Sequence, residues 1–174
     1  MIHPGVLPAQ ALRQMIAKGA LSGTPAIVPD QVQPASLDLR LGTVAYRVRA
    51  SFLVGQNRKV ADRIAEFEMH RIDLSAGAVL EKGCVYVVPL MEGLALPTGI
   101  TAVANAKSST GRLDLLTRTI TDGGTEFDRI PDGYHGPLYA EAAAQGFMVM
   151  HPDKDEPYVI DFGEFDCGHV DFTN

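Results

Sequence analysis

Long apolar runs are absent from this 174-residue chain, and nothing approaches the ~20 consecutive apolar residues of a membrane-crossing helix. An excess of basic charge is absent too. Fifteen Lys and Arg stand against 21 Asp and Glu, for a formal net charge of −6. That balance argues against broad binding to nucleic acid or to anionic membranes, which require extended basic surface. Any anion site must therefore be local. Cysteine is scarce: Cys84 and Cys167 cannot make a zinc site by themselves and give no disulfide framework. Cys84, in "GCVYVVPL", reads as a buried strand residue. The histidines His3, His70, His135, His151 and His169 are scattered with no i, i+4 pair, which favours solvated or core roles over metal ligation. His169 and Asp171 are neighbouring donors, a weak signal on their own.

Several catalytic signatures are also missing. There is no Walker-type glycine loop, no G-x-G-x-x-G, no G-x-S-x-G, and no His-x-Glu followed by Pro-Cys-x-x-Cys of the zinc deaminases. The N-terminal "MIHPGVLPAQ" lacks the basic region and apolar stretch of a signal peptide. No internal repeat, low-complexity tract or linker interrupts the chain. The expectation is a soluble protein of the reducing cytoplasm.

What is present is enough for a core: 46% of residues are hydrophobic, in a length near that of one domain. "LPAQALRQMIAKGAL" predicts a helix, with Pro8 in the first turn, Leu12, Met15 and Ile16 as a stripe, and Gly19 as the stop. "SLDLRLG" alternates, Leu37, Leu39 and Leu41 facing one way and Asp38 and Arg40 the other, so a long strand or bent pair occupies residues 36 to 52. "KVADRIAEFEMH" shifts to helical spacing through Val60, Ile64 and Phe67. Beyond it most apolar runs are short and turn-bounded: "AVL", "CVYVVPL", "LALP", "ITAVAN". That rhythm predicts a β-rich sandwich or barrel with a few helices attached. "STGRLDLLTRTI" reads as a short inserted helix, "TDGGTEFD" as a turn and "GPLYAEAAA" as a strand. The last 24 residues are rich in Asp and Glu, with Lys154 their one basic residue besides histidine, and read as a terminal strand plus an irregular acidic tail.

One stretch concentrates donors. "NAKSSTGRLDLL" places Lys107, Ser108, Ser109, Gly111 and Arg112 just ahead of an apolar segment. An ammonium, two hydroxyls, a planar guanidinium and a glycine that admits close backbone approach together suit a phosphorylated ligand. A helix beginning near Ser109 would add its N-terminal N–H groups. Serines ahead of an apolar run also cap helices routinely, and spacing alone leaves both readings open. Glu141 in "GYHGPLYAEAAA" ends an apolar strand, with the alternation of an inward carboxylate suited to general-base work. An exposed glutamate on an edge strand is the other reading. Asp128 and Asp132 flank "RIP" in a turn-rich segment, where most aspartates are turn formers.

"QPASLDLRLG" (33–42), "AKSSTGRLDL" (106–115) and "DGYHGPLYAE" (132–141), in that order, resemble the dCTP deaminase branch of the dUTPase-like superfamily. "GVLPAQALRQMI" and "LEKGCVYVVPLMEGLALP" resemble the same family, so that the likeness covers about residues 5 to 147 and is nearest the first half of the long bacterial form. The resemblance implies a mainly β subunit, a distorted β-barrel or jelly roll (β-clip) with a few short helices. It implies a homotrimer with active sites between subunits, chemistry at the base without zinc, and Mg²⁺ accompanying the triphosphate. Residues 1–147 would form the deaminase-like domain, with 148–174 a divergent acidic segment of the same domain or beside it.

The family's Arg/Lys-Ser-Ser-x-x-Arg motif falls on Lys107, Ser108, Ser109 and Arg112; by resemblance the lysine and serines contact the phosphates and a catalytic water, and Arg112, also at the nucleotide, supports the active centre. Its Gly-aromatic-x-Gly motif falls on Gly133, Tyr134, His135 and Gly136, with Tyr134 implied as a nucleotide contact, and its glutamate falls on Glu141, five residues past the second glycine. The implied mechanism has Glu141 take a proton from water held near Ser108. The water attacks C4 of cytosine and ammonia leaves, with Arg112 stabilising charge and orienting Glu141. The deoxyribose 3′-hydroxyl falls to Asp128 or Asp132, the alignment leaving both open. The family's closing strand has no clear equivalent in residues 148 to 174, where Lys154 and Tyr158 are the available stand-ins. Two other functions remain: a dUTP pyrophosphatase or bifunctional relative, against which the lack of a glycine-rich C-terminal arm counts, and a non-catalytic nucleotide-binding or assembly module.

Overall fold

Leu37, Leu39 and Leu41 are almost completely buried, as their alternation predicts, and they sit in the main core between two antiparallel sheets. The computed structural model of the chain describes residues 5–75, 77–107, 115–144, 148–149 and 166–173. Its elements run α1 (Ala9–Ala17), β1 (Leu21–Gly23), a 3₁₀ turn (Pro29–Gln31), β2 (Ser36–Arg40), β3 (Val44–Val48), α2 (Val60–Phe67), β4 (Glu68–Asp73) and β5 (Val79–Leu80). They continue with β6 (Val85–Ala95), β7 (Thr101–Asn105), β8 (Leu115–Thr121), β9 (Arg129–Ile130), β10 (His135–Ala144), β11 (Met148–Val149) and β12 (Asp166–Thr173). The mainly β expectation with a few short helices holds. Among the described residues no helix is long and apolar enough to cross a membrane.

One sheet has the order β4-β3-β6-β10-β8, with β1 also paired to β6; the second has the order β2-β12-β7-β9, and β5 pairs with β11. Leu138, Ala140 and Ala142 of β10 face the main core, together with Leu12 and Met15 from α1 and Val170 and Phe172 from β12. The opposite face of β10 carries Tyr139, which joins Val87, Ile120 and the α2 residues Val60 and Ile64 in a second, smaller cluster. Glu141, two residues beyond Tyr139, shares that second face by the two-residue period of a strand. β12 fills the middle of the four-stranded sheet, so this C-terminal strand is part of the same core.

Several expectations need correction. Residues 115–120 of the expected helix belong to β8, whose seven residues pair in register with β10. Thr117, Thr119, Ile120 and Thr121 are β-branched, and a neighbouring strand offers them a better surface than a helix would. Residues 108–114 lie outside the described part. "CVYVVPL" and "LALP" are not separate runs but belong largely to one 11-residue strand, β6. Pro89 is tolerated inside it because the register of β10 shifts between Pro137 and Tyr139, opposite the proline. Asp38, expected to point away from the core, is only 2% exposed. Cys84 is half-buried in the turn ahead of β6 rather than in a strand, its Sγ 3.6 Å from Glu81 Oε2. Gly42 closes the β2–β3 corner, where an added Cβ would lie 2.6 Å from the Pro89 carbonyl oxygen.

Candidate active site

Glu141 sits on β10 between β6 and β8, so it occupies an interior strand and not an edge. It is 2% exposed. A buried carboxylate is costly unless hydrogen-bonded or paired. Here one oxygen is served twice: Arg118 Nη2 donates to Oε1 at 2.5 Å and Ser51 Oγ donates to the same oxygen at 3.1 Å. Arg118 Nη2 also donates to Ser51 Oγ at 3.1 Å, which closes a three-membered ring of contacts. Among the described residues no donor reaches Glu141 Oε2.

Arg118 was not singled out from the sequence, yet a signal existed. In the β8–β10 register Arg118 is the direct partner of Glu141, an opposite-charge cross-strand pair. Reading β8 as a helix hid it. Ser51 follows β3 and carried no motif; the fold alone brings it here. The guanidinium of Arg118 also lies 3.9 Å from the centroid of the Phe127 ring, within cation–π range.

Asp128 belongs to the same neighbourhood. Its φ is +61°, and its Oδ1 accepts the Thr119 backbone N–H at 2.7 Å, one residue along β8 from Arg118. Burial pushes its carboxyl above the usual aspartate range, with the charge of Glu141 adding to the rise and the Thr119 N–H and Arg118 opposing it. Asp132 is placed differently. Its Oδ1 accepts the Gly99 N–H at 2.6 Å in an exposed turn. Tyr134 is buried, its hydroxyl donating to the Pro137 carbonyl at 2.7 Å and accepting the Asp122 N–H at 3.1 Å. Gly136 is required beside it, because an added Cβ would lie 2.6 Å from that hydroxyl.

Lys107 follows β7, in the other sheet, and donates to Asp38 Oδ2 at 2.7 Å. Gln33 Nε2 donates to the same oxygen at 2.9 Å. Thus the structure gathers Glu141 and Asp128 near Arg118, and holds Lys107 with Asp38 on β2. Ser108, Ser109 and Arg112 lie outside the described residues, as do Lys154 and Tyr158. Two clefts of about 570 and 660 Å³ lie elsewhere, one along β1 and β6 and one between α1 and residues 97–100, and neither is lined by Lys107 or Glu141. The side chain of Arg118, beside the buried carboxylate, is 36% exposed.

Residues 3–155 match the family model described as the 2'-deoxycytidine 5'-triphosphate deaminase (DCD) N-terminal domain. A crystal structure of 2'-deoxycytidine 5'-triphosphate deaminase from Agrobacterium tumefaciens is similar at a TM-score of 0.87 and 48% sequence identity. That match covers 98% of this chain and 48% of the other, so the chain spans about half the length of its solved relative. A stretch of 39 residues, 22% of this chain, is 49% identical to 6% of a sulfoquinovosidase from Agrobacterium fabrum. So short a match to so small a part carries no inference about fold or activity.

Proposed function

The chain belongs to the family of the 2'-deoxycytidine 5'-triphosphate deaminase N-terminal domain, and from that premise we propose that it catalyses hydrolytic deamination of dCTP to dUTP and ammonia. The observation that carries the reading is the state of Glu141: a carboxylate on an interior strand, buried, with one oxygen held by two donors and the other reached by none among the described residues. Such an oxygen is a ready acceptor for a water proton.

In the proposed reaction Glu141 removes a proton from water held near Ser108, and the water oxygen bonds to C4 of the cytosine. Glu141 passes that proton to ring nitrogen N3, then takes the proton of the new C4 hydroxyl and delivers it to the exocyclic nitrogen. The C4–N bond breaks, ammonia leaves and the C4 carbonyl of dUTP forms. Lys107, Ser108, Ser109 and Arg112 hold the triphosphate, and Arg112 stabilises charge near the base. Asp128 and Asp132 are the candidates for the sugar hydroxyl. Tyr134, engaged by Asp122 and Pro137, shapes the turn leading into β10.

Mg²⁺ is proposed only as the companion of the triphosphate. Such an ion would take its ligands from phosphate and water. When bound it would offset phosphate charge. In one chain Lys107 follows a strand of one sheet while Glu141 lies on a strand of the other, and a homotrimer with sites between subunits accommodates that arrangement. Nucleotide is the proposed partner, in a cytoplasmic protein without nucleic-acid or membrane binding.

One assay tests the reading: dCTP or dUTP with Mg²⁺, following ammonia and pyrophosphate separately. Ammonia from dCTP alone is expected. Pyrophosphate from dUTP would replace the proposal with a pyrophosphatase or bifunctional enzyme, and binding without product would make the chain a nucleotide-binding module. Glu141→Gln is expected to lower ammonia release by roughly 10²–10⁴-fold, the usual contribution of a positioned general base, with folding and oligomeric state unchanged. Sedimentation as a stable monomer would remove the shared-site element.

A further inference from the structure

We propose that Arg118 and Ser51 form a clamp that positions Glu141, fixing Oε1 so that Oε2 is the oxygen presented to the attacking water. This deepens the general-base reading of Glu141 and rests on it. A carboxylate is symmetric, and rotation about its terminal torsion exchanges the two oxygens unless something distinguishes them. Here two donors converge on Oε1, the guanidinium at 2.5 Å and the serine hydroxyl at 3.1 Å, while Oε2 is buried and receives none among the described residues. The asymmetry is built by three separate segments: β10, β8 and the stretch after β3.

Arg118 is itself held, which distinguishes it from an ordinary surface ion pair. Its guanidinium lies over the Phe127 ring and donates to Ser51 as well as to Glu141. Exposed pairs contribute little because both long side chains must be ordered from free rotation. Glu141 is almost fully buried, and ring and hydroxyl remove much of that freedom from Arg118. The turn that supplies Phe127 is tied to β8 beside it, through the Asp128 carboxylate on the Thr119 N–H. Arg118 acts through Glu141, so it is a positioning residue and not a proton carrier.

The test uses the full chain with dCTP, comparing Arg118→Ala, Arg118→Lys and Ser51→Ala with Glu141→Gln. Misplacement of a reacting group by about 1 Å costs on the order of 10²-fold. Arg118→Ala is therefore expected to lose about that factor in kcat while KM for dCTP stays within about threefold. Added guanidinium ion should restore part of the rate to Arg118→Ala and none to Glu141→Gln. Arg118→Lys keeps the charge but offers no planar fork, so it should show the same kcat loss in milder form should the alanine variant fold poorly. Ser51→Ala should lose several-fold in kcat. Wild-type kcat in Arg118→Lys and Arg118→Ala, with Glu141→Gln inactive, would overturn the clamp and leave the general base standing. Full turnover in Glu141→Gln would overturn both. Crystal structures decide independently of turnover: a Glu141 carboxylate turned from its present orientation in Arg118→Ala supports the clamp, and an unmoved one refutes it.

Discussion

The ammonium of Lys107 lies 2.7 Å from Asp38 Oδ2, an ion pair between residues 69 positions apart that ties the end of β7 to β2. The partners differ in exposure, with 28% of the lysine side chain and 3% of the aspartate side chain accessible. Asp38 Oδ1 has no hydrogen-bond partner among the described residues, so Lys107 and Gln33 carry most of the compensation for a buried charge. Lys107→Met is expected to cost about 1–3 kcal/mol of stability, the usual penalty for leaving a buried polar group unsatisfied. In a double-mutant cycle with Asp38→Asn the coupling should exceed about 0.5 kcal/mol. Urea unfolding of the four variants measures it, and additive effects would show that the contact carries no energy of its own.

Glu92 is the more buried charge, its side chain fully inaccessible on β6. It accepts the Arg40 backbone N–H and Arg40 Nε, each at 2.7 Å, and Gln31 Nε2 at 2.9 Å. Arg40 Nη2 continues to the Pro25 carbonyl at 2.8 Å, so the network links β2, β6 and the 3₁₀ turn to the loop after β1. Removing one partner of a buried pair strands the other. Glu92→Ala is expected to cost about 3–5 kcal/mol. A loss below about 1 kcal/mol in chemical unfolding would mean that water reaches Arg40 in the variant.

The sequence was most informative where a single period governs. Leu12 and Met15 of the α1 stripe and the leucines of β2 are buried as expected, and the strand around Glu141 is present, although its sequence left the burial of that carboxylate open. It misled where two periods compete over few residues, as in β8, whose leucine spacing fits a helical turn while its β-branched residues favour a strand. The same error concealed Arg118, because a cross-strand partner is visible only after both strands and their register are known. Asp38 was misread for a related reason: alternation says which way a side chain points, and a distant lysine decides whether burial there is tolerable. Ser51 had no readable signal, since its part depends wholly on three segments meeting in space.

Tyr134 carries a pH dependence that can be worked out in sign. Burial pushes its phenol up to about 12, with the Asp122 N–H opposing and the Asp122 and Tyr139 charges adding. Its folded value lies above the unfolded value near 10, so the unfolded chain loses its proton first. Stability from this group is whole below about pH 10 and is lost as pH rises toward about 12, by roughly 2–3 kcal/mol. Burial raises Tyr139 and Tyr86 in the same direction, so Tyr134→Phe should flatten the alkaline loss without abolishing it. At neutral pH the same variant should be less stable by about 1–2 kcal/mol, because the Asp122 N–H and the Pro137 carbonyl lose their partner. Parallel melting curves for wild type and variant from neutral pH to about pH 11 would refute the assignment.

The N-terminus of α2 is capped from outside the helix. Lys59, at its N-cap position, makes no side-chain cap bond. Asp122 at the end of β8 supplies one instead, its Oδ1 accepting the Val60 N–H at 2.7 Å across 62 positions of sequence. The Gly123 N–H donating to the Arg58 carbonyl at 2.8 Å secures the same junction. Val60 and Ile64 then hold α2 against Val87, Ile120 and Tyr139, on the sheet face that carries Glu141. Asp122→Ala should therefore cost about 1 kcal/mol, the ordinary loss for a helix cap, and Asp122→Asn much less because the acceptor remains. Amide exchange should accelerate first at Val60 and the N–H groups after it in Asp122→Ala. Unchanged protection throughout α2 would show that the helix is held by its apolar face alone.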